Sequence, residues 1–504
     1  AQLRRGHPTS NSSSQPYFEV LIVDAMSLQE EEVVREAFHN LRRPEDKFVY
    51  DVVTVRSFED ALIAILVNPN IQACLIRYEF PYKSKYNLSA LRNYLEGISE
   101  VELETKSEAE RSILLSSMIR EIRPEIDQFL VTSGDVEVTA SRDIRHFNRI
   151  FYRETDYIEQ HHTILRAIDN RFRTPFFDAL REYSRKPTGV FHAMPISRGK
   201  SITRSHWAGQ MIDFYGINIF LAETSATSGG LDSLLQPYGP IKKAQEYAAR
   251  AFGSRQSFFV TNGTSTANKI VVQALVKPRD IVLVDRDCHK SHHYGMVLSG
   301  AHVAYLDSYP LNDYSMYGAV PLREIKKTLL EYKRSGQLDK VKMLLLTNCT
   351  FDGVVYNVRR VMEECLAIKP DLVFLWDEAW FAFATFNPTY RPRTAMHAAR
   401  HLRDRYRSEE YAAEYAAWKE EFDQLDPDDD ATWLDRPLMP DPETVRVRTY
   451  ATHSTHKTLT SLRQGSMIHV YDQDYRQKVE APFHEAYMTH TSTSPNYQIL
   501  ASLD

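Results

Sequence analysis

The chain has 504 residues, of which 43% are hydrophobic and 25% charged, with 18 glycines and 23 prolines. These globular proportions exclude collagen-like, mucin-like and wholly disordered readings, and at roughly 150 residues per domain the length fits about three domains. With 61 Lys and Arg against 67 Asp and Glu the net charge is −6, so there is no bulk basic field to hold a nucleic acid.

Residues 1–16 are polar, with Ser12, Ser13 and Ser14 in a row and no charged segment leading into an apolar one; they read as a disordered leader, not a secretory signal. Phe18–Asp24 is a buried strand. Ser27 opens a helix with an acidic first turn (Glu30, Glu31, Glu32) and Val33, Val34, Ala37 and Phe38 at helical spacing. Phe48–Val55, Phe58–Val67 and Ile71–Arg77 follow as strand, helix and strand. This alternation implies an α/β parallel sheet, and the segment 17–145 resembles a flavodoxin-like receiver domain. A phospho-accepting receiver carries an aspartate at the end of the third strand, where Arg77 and Tyr78 stand here. The expectation is a structural or regulatory module.

Residues 146–186 are charged, aromatic and helical in period (Phe147, Ile150, Phe151, Ile158, Ile164, Leu165, Ile168), and Pro187 and Pro195 then break the pattern. Region 146–234 is expected to be a helical linker or oligomerisation region. Gly199-Lys200-Ser201 lacks the first glycine of a phosphate-binding P-loop, because that position is Met194.

From 235 to 504 a longer α/β pattern predicts one large doubly wound domain. Helices are expected at Ile241–Phe252 and Thr266–Leu275, and strands at Ser257–Val260, Ile281–Asp285, His302–Leu306, Lys342–Thr347, Leu372–Trp376, Thr449–Thr452 and Ser466–Tyr471. A surface insertion is expected over about 393–445, with one charged helix Ala395–Phe422 and an acidic run Asp426–Asp430 that lacks the glycine and glutamate of an EF-hand. The longest apolar runs, such as Ala61–Val67, fall far short of the roughly 20 residues of a membrane span. Four cysteines without CxxC spacing fit reduced thiols in a cytoplasmic protein.

Four segments carry chemistry. In Ala451-Thr452-His453-Ser454-Thr455-His456-Lys457 a lysine follows a strand, hydroxyls and an imidazole, a setting for a Schiff base with an aldehyde cofactor; taken alone, a solvated strand end explains such a lysine. Leu372–Trp376 runs into Asp377-Glu378-Ala379-Trp380, where an aspartate can hold a protonated pyridine nitrogen. Metal binding by Asp377 and Glu378 would need further ligands at suitable spacing. Thr261–Asn268 lies between a strand and a helix, so Gly263, Thr264 and Ser265 either receive a phosphate or simply cap the helix. Asp287-Cys288-His289-Lys290-Ser291-His292-His293 follows another strand; zinc lacks the usual accompanying motif, and an imidazole lying on a flat cofactor ring accords better with the other segments.

In this order, Thr261–Lys269, His289, Asp377–Trp380 and Ser454-Thr455-His456-Lys457 resemble the prokaryotic ornithine/lysine/arginine decarboxylases, a branch of the fold-type I pyridoxal-phosphate enzymes. The resemblance runs from Tyr17 onward and includes the receiver-like "wing". It implies pyridoxal 5'-phosphate as cofactor, Lys457 as the Schiff-base lysine, Asp377 as partner of the pyridine nitrogen and His289 stacked on the ring. It further implies Thr264, Ser265, Ser454 and His456 around the phosphate, Trp380 near the phenolic oxygen and Thr350 lining the pocket. The implied reaction is decarboxylation of a basic amino acid, arginine, lysine or ornithine, to the amine and CO2, with Lys457 or a histidine returning a proton. Phe386-Asn387-Pro388 leans toward the arginine branch. The resemblance also implies a homodimer or higher homo-oligomer; the residues themselves, lacking metal-ligand spacing, lead to the expectation of no metal.

Two departures from the family are the insertion between Asp377 and Lys457 and the end of the chain, which family members continue into a region supplying much of the substrate pocket. The expectation is that the C-terminal domain is missing. Two other readings stand beside decarboxylation: a non-catalytic relative acting through assembly or regulation, and another pyridoxal-phosphate reaction such as aminotransfer.

Overall fold

The computed structural model describes residues 15–77, 80–86, 106–133, 146–152, 156–186, 189, 194–225 and 230–504, and the chain divides into two units, Ala1–Arg173 and Thr174–Asp504. Residues 1–14 of the expected leader, Tyr78 and Pro187 lie outside the described residues. Among those described, no helix is long and apolar enough to cross a membrane.

The N-terminal unit runs β1 (Tyr17–Val23), α1 (Leu28–Asn40), β2 (Val49–Val55), α2 (Phe58–Val67), β3 (Ile71–Arg77), α3 (Glu108–Ile122), β4 (Asp127–Thr132), β5 (Arg149–Tyr152) and α4 (Tyr157–Arg171). Ser27 starts α1 with a capping box: its hydroxyl accepts the Glu30 N–H while the Glu30 carboxylate accepts the Ser27 N–H. The five strands pair in parallel in the order β2-β1-β3-β4-β5, the flavodoxin-like order. Arg77, at the end of β3, is buried with its Nε 3.7 Å from the Asp24 carboxylate. One expectation is corrected. Residues 149–152 are not helical but form the edge strand β5, because Ile150, Phe151 and Tyr152 favour a pleated surface and Phe151 is buried beside Phe129.

The C-terminal unit runs α5 (Pro175–Arg185), α6 (Pro240–Phe252), β6 (Gln256–Val260), α7 (Thr264–Leu275), β7 (Ile281–Asp285), α8 (Lys290–Ser299), β8 (His302–Leu306), α9 (Leu322–Arg334), β9 (Val341–Thr347), α10 (Val358–Ile368), β10 (Val373–Asp377), α11 (Ala395–Arg405), α12 (Glu409–Phe422), β11 (Arg448–His453), β12 (Ser466–Asp472), α13 (Glu480–His490) and α14 (Tyr497–Leu503). The seven strands lie in the order β6-β12-β11-β10-β9-β7-β8. All run the same way except β12, antiparallel to both neighbours. A short connection from β11 cannot carry the chain back for a parallel pairing, so β12 reverses.

Alternate residues of the central strands feed two cores, one on each face. Val282, Val284, Met343, Leu345, Val373 and Leu375 enter one cluster, while Ile281, Leu283, Leu344, Leu346, Phe374 and Trp376 enter the other. Such two-sided burial is why these strands read as continuous apolar runs. The single helix expected over Ala395–Phe422 is two helices. Ser408 caps α12 by accepting the Tyr411 N–H, and α11 buries Ala395, Met396, Ala398, Ala399 and Leu402 in the core.

Candidate active site

Parallel sheets place chemistry at the carboxyl ends of their strands. Here β6, β7, β10 and β11 end at one edge of the sheet, and the reversed β12 begins there, since Ser466 pairs with Val260 and Met467 with His453. The polar residues that follow these ends form three groups.

The first group gathers hydroxyls at a helix N-terminus. Gly263, with φ +77°, turns the chain from β6 into α7, a conformation that an L-residue adopts only with strain. The Thr264 hydroxyl lies 2.5 Å from that of Ser454 and 3.2 Å from that of Ser466. Helix geometry leaves the first amides of α7 without intrahelical acceptors, and the Thr264 and Ser265 N–H groups find none among the described residues. Ser265 is exposed, and a Cβ built on Gly263 would meet nothing within 4 Å. Gln464, whose carbonyl accepts the Gly263 N–H at 2.9 Å, and Cys349, just before Thr350, take positive φ of 74° and 67°. Backbone strain of this kind, about 1–3 kcal/mol each, collects at functional sites.

The second group surrounds Asp377, which is buried. Its Oδ2 accepts from His292 Nε2 at 2.8 Å and from Asn268 Nδ2 at 3.1 Å, and its Oδ1 accepts the Ala379 N–H at 3.1 Å. Burial alone would raise the carboxyl pKa, but the hydrogen bond and electrostatic attraction of His292, with the Ala379 and Asn268 hydrogen bonds, outweigh it and hold Asp377 below the ordinary value. Asn268 is oriented by Thr452, whose hydroxyl donates to its Oδ1 at 2.7 Å. The other Asn268 hydrogen goes to Ser291 Oγ at 3.1 Å, which leaves the Ser291 hydroxyl hydrogen for His289 Nδ1 at 2.8 Å. A continuous network therefore joins His289 to Asp377. His289 also caps α8 and is exposed; partial burial holds its pKa below the ordinary imidazole value against the pull of Asp377.

The third group is open. Lys457 sits in a single helical turn, Thr455–Thr458, after β11, and is exposed. Its Nζ lies 4.8 Å from the centroid of the Trp380 ring, which is half exposed and meets Phe351 edge-on at 5.4 Å. His456 Nδ1 donates to the Gly465 carbonyl at 2.9 Å, so its Nε2 donates to an anion only if the ring takes a second proton. Thr350 accepts the Val354 N–H in its own loop and, among the described residues, makes no hydrogen bond to the three groups.

The two carboxylates of Asp377-Glu378 diverge. Glu378 accepts from Asn348 Nδ2 at 2.7 Å, the Ala395 N–H at 2.8 Å and His453 Nε2 at 3.0 Å. The chain continues from His453 Nδ1 to His469 Nε2 at 3.1 Å and from His469 Nδ1 to Ser257 Oγ at 2.7 Å. Among the described residues no group of three or more His, Cys, Asp and Glu is placed to hold a metal ion.

The structure thus brings Thr264 and Ser454 together, links His289 to Asp377 and sets Trp380 beside Lys457, but leaves His456 on Gly465 and Thr350 in its loop. Four residues at this edge carry no role in the sequence reading: Asn268, Ser291, His292 and Ser466. Asn268 falls one helical turn after Thr264, and His292 one turn after His289, a spacing that puts each pair on one face. Ser466 gave no local signal, because only the reversal of β12 delivers it.

A sequence model of the family described as "Orn/Lys/Arg decarboxylase, major domain" matches residues 174–405 and 436–504, leaving a gap narrower than the expected insertion. The chain is 36% identical over 336 residues to lysine decarboxylase LdcA of Pseudomonas aeruginosa, which covers 66% of this chain and 39% of that protein. It is 29% identical over 498 residues to the biodegradative arginine decarboxylase of Escherichia coli, covering 96% of this chain and 57% of that one. The solved structure of lysine decarboxylase A from Pseudomonas aeruginosa aligns with 96% of this chain and 58% of its own, at 28% identity and a TM-score of 0.52. The chain spans about half the length of the curated relatives it matches.

Proposed function

The chain belongs to the Orn/Lys/Arg decarboxylase family, and on that premise we propose that it takes part in pyridoxal-phosphate-dependent decarboxylation of a basic amino acid to its amine and CO2. The observation that carries this reading is the ionised, buried Asp377 carboxylate, held by three donors at the edge where Lys457 and the hydroxyl group of Thr264, Ser454 and Ser466 also stand.

The residues present fit the cofactor. A dianionic phosphate suits the unpaired amides of Thr264 and Ser265, the dipole of a twelve-residue helix and the neighbouring hydroxyls, and the open space over Gly263 leaves room for it. An exposed lysine suits an aldehyde, and an anionic carboxylate suits a protonated pyridine nitrogen. When bound, pyridoxal 5'-phosphate supplies an electron sink for the pair left by departing CO2.

This chain's own residues then divide the work. Asp377 holds the proton on the ring nitrogen, because an ionised carboxylate in a buried setting favours a facing cation. His289, with Nδ1 accepting from Ser291, presents its ring from the N-terminus of α8 and would hold the face of the cofactor ring. Thr264, Ser265, Ser454 and, in its doubly protonated form, His456 fix the phosphate end. Lys457 would hold the cofactor through its amine and would be the group that holds a proton for Cα. Trp380 packs beside Lys457 and would flank the cofactor there, whereas Thr350, held in its own loop, is given no part in this reading. We extend the reading to a homo-oligomer, and arginine is the first substrate to assay, from the Phe386-Asn387-Pro388 resemblance.

The test is to load the full chain with pyridoxal 5'-phosphate, record its visible absorbance and measure CO2 release from arginine, lysine and ornithine. Release from at least one of them, lost in Lys457→Ala, is the expected result. A keto acid in place of CO2 would turn the reading to aminotransfer. A cofactor-free protein that assembles without turnover would turn it to a non-catalytic relative.

A further inference from the structure

His292 is fully buried, and among the described residues its side chain makes one hydrogen bond, from Nε2 to Asp377 at 2.8 Å, while its Nδ1 is buried with no partner. An ionised carboxylate only accepts, so Nε2 carries the hydrogen. A hydrogen on Nδ1 would be buried without an acceptor, at the full desolvation cost of that group, whereas a bare Nδ1 forfeits one lone pair. A histidine half-satisfied in the core is a poor structural choice, since an apolar side chain would fill the space without an orphaned atom. What it provides is one directed donor to the single carboxylate placed to meet the cofactor ring. The ionisable groups around it are Asp377, the buried Asp285 at the end of β7, and His289 one turn away.

We propose that His292 is a positioning residue for the cofactor: as the Nε2–H tautomer it fixes the orientation of Asp377 and keeps it ionised, so that the carboxylate is ready for a protonated ring nitrogen. This rests on the reading of Asp377 given above. Asn268 and the Ala379 N–H set the carboxylate from two other directions; of the two side-chain donors, Asn268 uses its oxygen to accept from Thr452 while the second ring nitrogen of His292 is left unused. The hydrogen bond from His292 lowers the Asp377 pKa, so its loss lets Asp377 take up a proton at higher pH.

The experiment measures the equilibrium affinity of the full chain for pyridoxal 5'-phosphate across pH. His292→Leu is expected to bind about tenfold more weakly at neutral pH, a charge-assisted hydrogen bond's worth, with the acid limb of binding moved to higher pH. His292→Gln, which retains a donor, is expected to restore affinity to within about threefold. A folded His292→Leu, with wild-type near-ultraviolet dichroism, that keeps wild-type affinity and acid limb overturns the proposal. So does nitrogen-15 NMR of the cofactor-free wild-type chain if it finds the hydrogen on Nδ1, a readout that stands even if the leucine variant fails to fold. A wild-type protein that binds no pyridoxal 5'-phosphate overturns the reading of the site itself, and this outcome is distinct from a variant that binds as well as wild type.

Discussion

The two sides of the site are built on opposite principles. Around Asp377 the two side-chain contacts are buried and the Ala379 N–H contact is half-buried, and each comes from a different element: α7, α8 and the turn after β10. Around Lys457 the side chain is exposed, and the contact shown among the described residues is with the Trp380 ring. A charge that must stay ionised out of water needs its donors fixed in advance, because a buried group left short of partners costs about 1–3 kcal/mol or more. On the proposed reading, Lys457 is an amine that leaves one carbonyl and returns to it, which needs freedom instead. The contrast therefore separates the part of the site that the fold preorganises from the part that it leaves to move.

Substitutions should divide along the same line. The largest loss of activity is expected from Lys457→Ala, with CO2 release falling by at least about a thousandfold and the visible cofactor band absent, yet with an unchanged thermal midpoint because the side chain is exposed. A drop in midpoint of several degrees would break the contrast. Asp377→Asn is expected to lower CO2 release by about a hundredfold or more and also to destabilise the protein by about 1–3 kcal/mol in denaturant, since the amide cannot accept from all three donors. If Asp377→Asn left stability untouched, the buried side would not be preorganised in this sense. Thr264→Ala should weaken pyridoxal 5'-phosphate by about tenfold in a binding titration, with little change in stability.

The smallest effects concern pH. Asp377 has its pKa lowered in the folded protein, so its contribution to stability is present above the ordinary aspartate value and is lost as pH falls through the folded one. His469 is also held well below its ordinary value, first by burial and then by His453. Below about pH 6.5 the unfolded chain takes up a proton that the folded chain refuses, which costs up to about 1.4 kcal/mol of stability per pH unit. His469→Gln is expected to flatten the decline of the thermal midpoint between pH 7 and pH 5. An unchanged slope would show that His469 does not titrate in this way.

Much of the fold was legible because its signals are local. The Ser27 cap with Glu30 and the apolar runs of β7, β9 and β10 belong to short windows, and the wing's strand-helix alternation needs no long-range knowledge. Residues 149–152 misled because Ile150 and Phe151 satisfy a helical spacing as well as a strand; pairing with β4 decided between them. The break at residues 406–408 was visible only as Ser408, a cap that means little until the helix before it is seen to be buried.

The sequence by itself determined which residue types stand after which strands: Thr264 and Ser265 after β6, His289 after β7, Asp377 after β10, Ser454 and Lys457 after β11. Those placements need only strand periodicity and the order of segments along the chain. The tertiary structure alone decided how they meet. The antiparallel β12 delivers Ser466 to Thr264 and Ser454, Asn268 receives its orientation from Thr452 on another strand, and His292 turns inward to Asp377. These contacts join residues far apart in sequence, and the direction of a buried hydrogen bond is fixed by which partners the packing leaves available, not by spacing along the chain.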